Sequence, residues 1–374
     1  MKKIVKMKIL FLIIIPITFS GCWDQAPVQS TGYMTIVGIE SSPLGEMKVT
    51  YAMPVIDPTA KARGELIDTE APLTREAREN SNRRAGKLML AGKIQLVFFS
   101  EEIAEKGVIS QINSIFERDP SDPILAWNVV VDGSPRDFIH GVEALQDKPR
   151  PSTYLNALLE RAVSDGFTID SRVFHYDIID MAPGIDNVVP LIKLNSKAAE
   201  VKGSALFSSG KMVGTINTRE SGLLAAMMKT LKGKKYTYEV SDINDEDNEK
   251  PIHGLAVLLI QKSNKINVSI KDNKVIVNID LKFNGTVDDY KFDGLSDEDK
   301  IKELNKHIEL QIQSDCQKLI EHLQSLESDP IGIGDIVRAK YNGYWKRCNW
   351  HEAYKNAAIN VHVKFNIVQY GAIK

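Results

Sequence analysis

Strict alternation of apolar and polar residues in the C-terminal half restricts the fold of this chain more than any other feature. Residues 266–270 alternate, Asp272 and Asn273 form a turn, and residues 275–283 alternate again. A period of two places every second side chain on one face of a strand, so the two arms predict an antiparallel hairpin with one wet face. The alternation returns in a predicted last strand at Ile359, Val361, Val363, Phe365 and Ile367.

A long amphipathic helix lies between these strands in the sequence. Its apolar residues recur at steps of three and four, at Ile301, Leu304, Ile308, Ile312, Cys316, Leu319, Leu323 and Leu326. Ser296 is expected to cap its N-terminus, ahead of acidic residues in the first turn. The apolar stripe needs a partner, and the apolar face of the sheet supplies one. The C-terminal half is therefore predicted to be α+β, a helix layer packed on an antiparallel sheet.

Strands and helices alternate in the N-terminal half. Apolar, β-branched segments predict strands at 33–40, 47–55, 94–99 and 125–131. Charged, helix-favouring stretches predict helices at 73–90 and 108–116. Ser100 directly follows one strand and is expected to cap a further short helix. The half is predicted to be a mixed α/β layer of unknown strand order.

The length of 374 residues predicts more than one compact core. We expect a signal peptide at residues 1–21, an N-terminal mixed α/β region at 22–190 and a C-terminal α+β domain at 191–374. Pro183, Gly184 and Pro190 predict a linking subdomain near 149–195. The fold class as a whole is therefore predicted to be α+β and multi-domain.

The N-terminal segment has the pattern of a bacterial lipoprotein signal. Four lysines precede a short apolar stretch, and cleavage is expected between Gly21 and Cys22. The stretch is interrupted by Pro16 and is shorter than the roughly 20 apolar residues that cross a bilayer. Cys22 is predicted to carry a diacylglyceryl thioether that holds the body at the outer face of a membrane. An ordinary secretory signal is the alternative.

Charge excludes nucleic acid as a partner. Residues 1–21 contain four lysines and no acidic residue, so their removal takes the formal net charge from −2 to −6. Proteins that bind nucleic acid concentrate positive charge instead, because they neutralise phosphates.

No catalytic, metal or cofactor motif is predicted. Ser208 and Lys211 match an S-x-x-K tetrad, but its companion motifs are missing and a hairpin turn is expected there. Residues 242–253 resemble a calcium loop that has Asp247 in place of its glycine and His253 in place of its last glutamate. The seven histidines show no ligand spacing. We therefore predict no catalytic residue, no metal and no cofactor.

Two further cysteines are predicted to be unpaired, although a disulfide is chemically permitted outside the cytoplasm. Cys316 falls on the apolar stripe of the long helix, where a thiol behaves as a small apolar side chain. Cys348 lies in a polar, aromatic segment.

Aromatic and basic residues are unusually dense near the C-terminus. The candidate interaction or structural motif comprises Arg338, Tyr341, Tyr344, Trp345 and Trp350. Tyr, Trp and Arg are the residue types that anchor protein interfaces, and such a cluster also suits lipid headgroups. The alternative is that these rings pack a helix onto the sheet.

Several motifs in this order resemble one family. They are Cys22-Trp23-Asp24, the stretch from Gly92 to Glu102, Arg118-Asp119-Pro120, Lys202 to Phe207 with Lys211 to Gly214 and Glu220-Ser221-Gly222, and Asp329 to Gly334 leading to Tyr341 and Trp345. Together they are similar to the Ger(x)C spore germination lipoproteins, the C subunits of nutrient germinant receptors in endospore-forming Firmicutes.

The resemblance implies a non-enzymatic lipoprotein on the outer face of the cell membrane, the spore inner membrane. It would act in receptor assembly and germination signalling beside membrane-embedded A and B subunits. The family has no recognised catalytic residues, so none are transferred to this chain. Two alternatives from other classes are an extracytoplasmic nutrient-binding lipoprotein serving a transporter, and an envelope hydrolase with a nucleophile and a base in reach.

Overall fold

A computed structural model describes residues 30–370 of the chain, apart from 44, 56–58, 60–61, 118–123, 146, 232, 241–251 and 292–296. The predicted signal peptide, Cys22, residues 242–251 of the calcium-like segment, Arg118-Asp119-Pro120 and Ser296 therefore lie outside the described residues. The last two residues of the calcium-like segment begin a strand. Within the described part, no helix combines the length and the apolar character needed to span a membrane.

A mixed sheet organises the first part of the described chain. The strands are β1 (Thr31–Tyr33), β2 (Ile36–Ser41), β3 (Met47–Pro54), β4 (Gly64–Ala71), β5 (Leu88–Leu90), β6 (Leu96–Ser100), β7 (Trp127–Val131), β8 (Val188–Leu194), β9 (Ala199–Ser208) and β10 (Lys211–Asn217). Eight of them form one sheet in the order β10-β9-β8-β7-β6-β2-β3-β4, and β1 pairs separately with β5. The four central strands β2, β6, β7 and β8 pair in parallel. On either side of them, β3 and β4 at one edge and β9 and β10 at the other pair antiparallel.

Helices cover both faces of the eight-stranded sheet. They are α1 (Thr74–Asn82), α2 (Glu101–Lys106), α3 (Ile109–Glu117), α4 (Pro135–Glu143), α5 (Pro151–Ser164) and α6 (Val173–Asp180). Residues of α1, α2, α3 and α6 share one apolar cluster with the sheet, and residues of α4 and α5 share the other. Phe98 and Phe99 are consecutive and both 0% exposed, because they enter opposite clusters. A strand buried on both faces is apolar throughout and does not alternate.

The predicted helix at 73–90 is wrong in its second half. Helix α1 ends at Asn82, and residues 88–90 form β5 instead. Met89 is buried and lies opposite Gly32 of β1, so strand pairing replaces the helical turns expected there. The Ser100 cap is confirmed, since its hydroxyl accepts a hydrogen bond from the amide of Ile103 at 3.3 Å.

The eight-stranded sheet crosses the predicted domain boundary. Strand β8, at the end of the expected linking subdomain, lies inside the sheet, and β9 and β10 extend it beyond residue 191. The division into regions 22–190 and 191–374 stays a prediction.

The second part of the chain is a helix layer on a four-stranded sheet, which confirms the α+β class. Its elements are α7 (Thr218–Met227), β11 (Lys234–Val240), β12 (Ile252–Lys271), β13 (Lys274–Tyr290), α8 (Glu298–Ser325), α9 (Ile333–Lys340), α10 (Asn342–Trp345), α11 (Trp350–Lys355) and β14 (Ala358–Tyr370). The strand order is β11-β12-β13-β14. The sheet is antiparallel up to β13, but β14 runs parallel to β13 because α8 returns the chain across the sheet before β14 begins.

The N-cap of helix α8 is Asp297 and not Ser296 as predicted: the Asp297 carboxylate accepts hydrogen bonds from the amides of Asp299 and Lys300. Its buried residues include Ile308, Ile312 and Cys316, which join the apolar cluster of the four-stranded sheet. Both described cysteines carry free thiols, Cys316 buried and Cys348 half-buried. Burial raises the pKa of the Cys316 thiol to about 12, so it remains a neutral core group at physiological pH.

Polar side chains of α8 also close the outer edge of the sheet. Residues at every fourth position of α8 accept hydrogen bonds from amides at every second position of β14, over 2.8–3.4 Å. The pairs are Asn305 with Ile367, Glu309 with Phe365, Gln313 with Val363 and Gln317 with Val361. The spacing matches because four helical residues rise about 6 Å and two strand residues about 6.6 Å. The ladder protects an edge strand that would otherwise pair with another chain.

Helix α7 lies between the two sheets, and its residues from Ser221 to Met227 are all buried. The hydroxyls of Thr168, Ser204 and Ser221 form a hydrogen-bonded chain of 2.9 and 3.0 Å beneath it. Gly203 has a φ of +137°, and a Cβ there would lie 2.0 Å from the carbonyl oxygen of Ile216. Packing and hydrogen bonding therefore explain why the motif has glycine at 203 and serine at 204 and 221.

Candidate functional site at the junction of the two sheets

The predicted aromatic residues lie where α9, α10 and α11 pack on the four-stranded sheet. The Tyr341 hydroxyl donates to the Val268 carbonyl at 3.1 Å. The Tyr344 hydroxyl donates to the Asn273 carbonyl at 3.4 Å. Both bonds fasten the short helices to the hairpin of β12 and β13, and both rings pack partly buried against its core.

The two tryptophans form a stack that reaches the core. The rings of Trp345 and Trp350 are 5.5 Å apart, and the ring of Trp350 is 5.9 Å from that of the buried Tyr354. Arg338 does not join them, because its guanidinium pairs with Asp335 one turn earlier in α9. The role of the predicted motif, as interaction site or as packing, stays a prediction.

A buried carboxylate organises the turn that precedes α9. Asp329 is 1% exposed and accepts hydrogen bonds from the amides of Gly332, Ile333 and Gly334 over 2.7–3.0 Å. These amides are the free donors of a helix N-terminus, so the side chain satisfies groups that the helix cannot. Gly332 begins the helix with a φ of +76°, a conformation that favours glycine.

Asp186 joins this turn to the eight-stranded sheet. Its carboxylate accepts from the Asp329 amide at 2.8 Å and from the Ser209 amide at 3.0 Å, in the turn between β9 and β10. Its own amide donates to the Asp329 carbonyl at 3.0 Å. Two acidic residues 143 positions apart therefore hold the two parts of the molecule together.

Gly184 allows the backbones on either side of the junction to approach closely. Its φ is +98°, and a Cβ there would lie 2.6 Å from the carbonyl carbon of Gly334 and 2.9 Å from the Trp345 ring. Its carbonyl accepts a hydrogen bond from the Asp335 amide at 2.8 Å. A residue with a side chain does not fit at this position without movement.

Burial governs the ionisation of the junction. Loss of hydration raises the pKa of the Asp329 carboxyl to about 7; the amides of Gly334 and Ile333 oppose the rise and Asp186 adds to it. Burial also raises the pKa of Asp186, against the amides that bond to it. The Tyr354 pKa lies well above its ordinary value, first because of burial and then because of these two carboxylates.

A cavity of about 450 Å³ opens beside the junction. Its wall includes Asp180, Asp186, Trp345 and Trp350. Among the residues that the structure describes, no lysine or arginine lines it. The volume falls in the range of small-molecule sites. Aromatic faces and carboxylates together favour a cation.

The cavity also contains a serine and a histidine in contact. The Ser209 hydroxyl lies 3.0 Å from Nε2 of His351, a distance suited to a nucleophile and its base. An oxyanion formed there would face the carboxylates of Asp180 and Asp186, which destabilise negative charge. The arrangement therefore favours binding of a cation over acyl transfer. In the described part of the chain, no group of three His, Cys, Asp or Glu residues is arranged to hold a metal ion.

The sequence did not indicate Asp186 or His351, and it marked Gly184 only as part of a predicted linking subdomain. The capped turn could have been identified from the sequence, because Asp329 comes shortly before Gly332 and Gly334. A carboxylate just before a helix start is an N-cap pattern. No local pattern could have paired Asp186 with it. The tetrad at 208–211 forms the turn that the sequence predicted.

Comparison with known proteins gives concordant matches along the chain. A family model described as the spore germination protein N-terminal domain matches residues 24–194, and one described as spore germination B3/GerAC like, C-terminal, matches residues 202–371. The spore germination protein GerQC of Bacillus cereus is 22% identical over 369 residues, which are 98% of this chain and 99% of GerQC.

The fold has a relative among solved structures. The crystal structure of the GerBC protein superposes with a TM-score of 0.57 at 16% identity, over 89% of this chain and 96% of GerBC. The first family model ends with β8 at Leu194 and the second begins within β9 at Lys202, so they meet inside the eight-stranded sheet. Together they span nearly all of the described residues. The chain belongs to the Ger(x)C family of spore germination proteins.

Proposed function

We propose that this chain is the non-enzymatic, lipid-anchored C subunit of a nutrient germinant receptor. It acts in receptor assembly and germination signalling beside membrane-embedded A and B subunits. The observation that supports this most is the match to germination family models in both halves of the chain. GerQC, which matches over nearly the whole length, is itself named a spore germination protein.

The lipid on Cys22 places the body on the outer face of the cell membrane, the spore inner membrane. The described body begins at Ser30, eight residues after Cys22. Eight residues span at most about 28 Å when fully extended. The body therefore stays within reach of membrane-embedded partners.

The junction supports a role as one docking body. Asp186 and Asp329 exchange hydrogen bonds across it, and Gly184 brings the two backbones into contact. A partner that binds either part would meet a surface fixed relative to the other.

Isolation of the complex tests the proposal. The epitope-tagged chain is purified from detergent-solubilised spore membranes, and the proteins that accompany it are identified. Recovery of a multi-spanning A-type subunit and a transporter-like B-type subunit is expected. Recovery of the chain alone, under conditions that preserve other membrane complexes, would contradict the proposal.

The anchor has a separate test. Cys22→Ala removes the thiol that carries the lipid, so the chain is expected to move from the membrane fraction to the soluble fraction. Cys348→Ala is the matched control, since it removes the half-buried thiol and leaves the tether intact. Quantitative membrane retention of the Cys22→Ala chain would contradict the proposed lipid anchor.

The cavity favours a second candidate, an extracytoplasmic nutrient-binding lipoprotein serving a transporter. Its carboxylates and indole rings suit a nutrient that carries an amine. A binding function predicts that small amines raise the melting temperature of the chain, and that Asp180→Asn removes the increase. Asp299→Asn, which alters a side chain 91% exposed outside the cavity, is the matched control.

A further inference from the structure

The tether enters the folded body at β1, beside β5. Ser30 lies eight residues after Cys22, and eight residues reach at most about 28 Å. Strands β1 and β5 are parallel, with Thr31 opposite Leu88 and Gly32 opposite Met89. The residues that lead into β5 therefore lie where the tether ends, close to any membrane that holds Cys22.

Positive charge is concentrated at this point of an otherwise acidic body. The loop from α1 to β5 contains Arg83, Arg84 and Lys87 and no acidic residue. Arg83 donates to the side chain of Asn80, and Arg84 donates to the Asp68 carbonyl at 3.1 Å. Within the described ranges, none of the three cations forms an ion pair with a carboxylate, although Arg84 lines a cavity that also contains Asp68 and Glu70. The charges of Arg83 and Lys87 have no such neighbours in that cavity and can meet another surface.

An exposed apolar residue follows the cations directly. Leu88 is 52% exposed, whereas the next residue, Met89, is 3% exposed. Cationic side chains around an exposed leucine suit the boundary between headgroups and acyl chains.

We propose that residues 83–88, named here the basic edge, dock on anionic lipid headgroups next to the lipid anchor. The inference rests on the proposed attachment through Cys22, and it adds which surface faces the membrane and which lipids it meets. The entry point of the tether selects this surface, because β1 begins beside Leu88 and a Cβ on Gly32 would lie 3.5 Å from the Cβ of Lys87. Charge complementarity selects anionic lipid, since each cation near such a surface strengthens binding about fivefold.

Hydrogen exchange on vesicles tests the basic edge. The lipid-bearing chain is reconstituted into vesicles of phosphatidylcholine alone or of equimolar phosphatidylcholine and phosphatidylglycerol. Exchange at residues 83–90 is expected to slow at least about fivefold on the anionic vesicles, and high salt should remove the difference. The turn at Asp272 and Asn273 is distant in sequence from the tether and serves as the internal reference.

Substitution separates the surface from the anchor. Arg83→Ala, Arg84→Ala and Lys87→Ala together should abolish the slowing. The control is the combined Lys265→Ala, Lys282→Ala and Lys318→Ala variant, which removes the same charge from exposed positions elsewhere and should keep the slowing.

Two results would overturn the proposal, and only the second would also overturn the attachment through Cys22. Equal exchange on both vesicle types, in a chain that stays attached, overturns the basic edge alone. A chain that washes off both vesicle types overturns the attachment through Cys22 and the basic edge with it.

Discussion

The two sheets of this molecule differ in how many of their faces are covered. The eight-stranded sheet has helices on both faces, so Phe98 and Phe99 are neighbours in sequence and both fully buried. The four-stranded sheet has a covered face and a wet face, so buried Leu281 is followed by exposed Lys282 and buried Phe283. A sheet with one wet face therefore shows which side chains point inward, because apolar and polar residues alternate along each strand. A sheet covered on both faces is apolar throughout and gives no such signal.

Truncation of neighbouring side chains gives the largest expected effect. Phe98→Ala and Phe99→Ala should each lower the free energy of unfolding by about 3–5 kcal/mol, because each opens a cavity on one face. In β13, Leu281→Ala should cost about 2–5 kcal/mol and Lys282→Ala within about 0.5 kcal/mol. Urea unfolding of the four variants measures these costs. Similar costs for Leu281→Ala and Lys282→Ala would show that β13 does not have one buried face and one wet face.

The junction between the sheets gives a pH-dependent test. The pKa of Asp329 is raised from 3.8 to about 7, so the folded chain binds a proton that the unfolded chain releases between these values. The resulting stabilisation is complete below pH 3.8 and is lost as the pH rises through 7, by up to about 4 kcal/mol.

Asp329→Asn isolates this contribution. The difference in unfolding free energy between wild type and variant should fall as the pH rises from 4 to 7, because the variant has no carboxyl to titrate. A flat difference for Asp329→Asn would show that the junction does not titrate.

The edge of the four-stranded sheet gives the smallest expected effect. Gln313→Ala removes the acceptor of the Val363 amide and should cost about 0.5–1.5 kcal/mol. Faster hydrogen exchange at Val363 should accompany the loss. Ser314→Ala, on the exposed side of the same turn, is the control and should leave that amide unchanged. Unchanged exchange in the Gln313 variant would mean that the ladder does not protect the edge.

Elements with a local signal were predictable from the sequence, whereas elements set by distant contacts were not. The hairpin of β12 and β13, helix α8 and the turn at 208–211 were predicted because their periodicity or turn residues are local. The helix predicted through residue 90 failed because Met89 pairs with Gly32, a contact between distant segments. The parallel direction of β14 likewise depends on where α8 returns the chain.

The candidate site was only partly predictable. The sequence drew attention to Trp345 and Trp350 because aromatic residues are dense there, but it did not place Asp186 or His351 beside them. These residues come from separate segments that meet only when the two sheets pack.

By itself, the sequence determined the α+β class, the long helix and the one-sided sheet, because side chains of one strand or helix repeat on a fixed period. The order of the eight strands, the ladder on β14 and the Asp186–Asp329 junction were decided by the tertiary structure alone. Their partners lie far apart in the chain, and no local repeat records which distant residue fills a given space or satisfies a given amide.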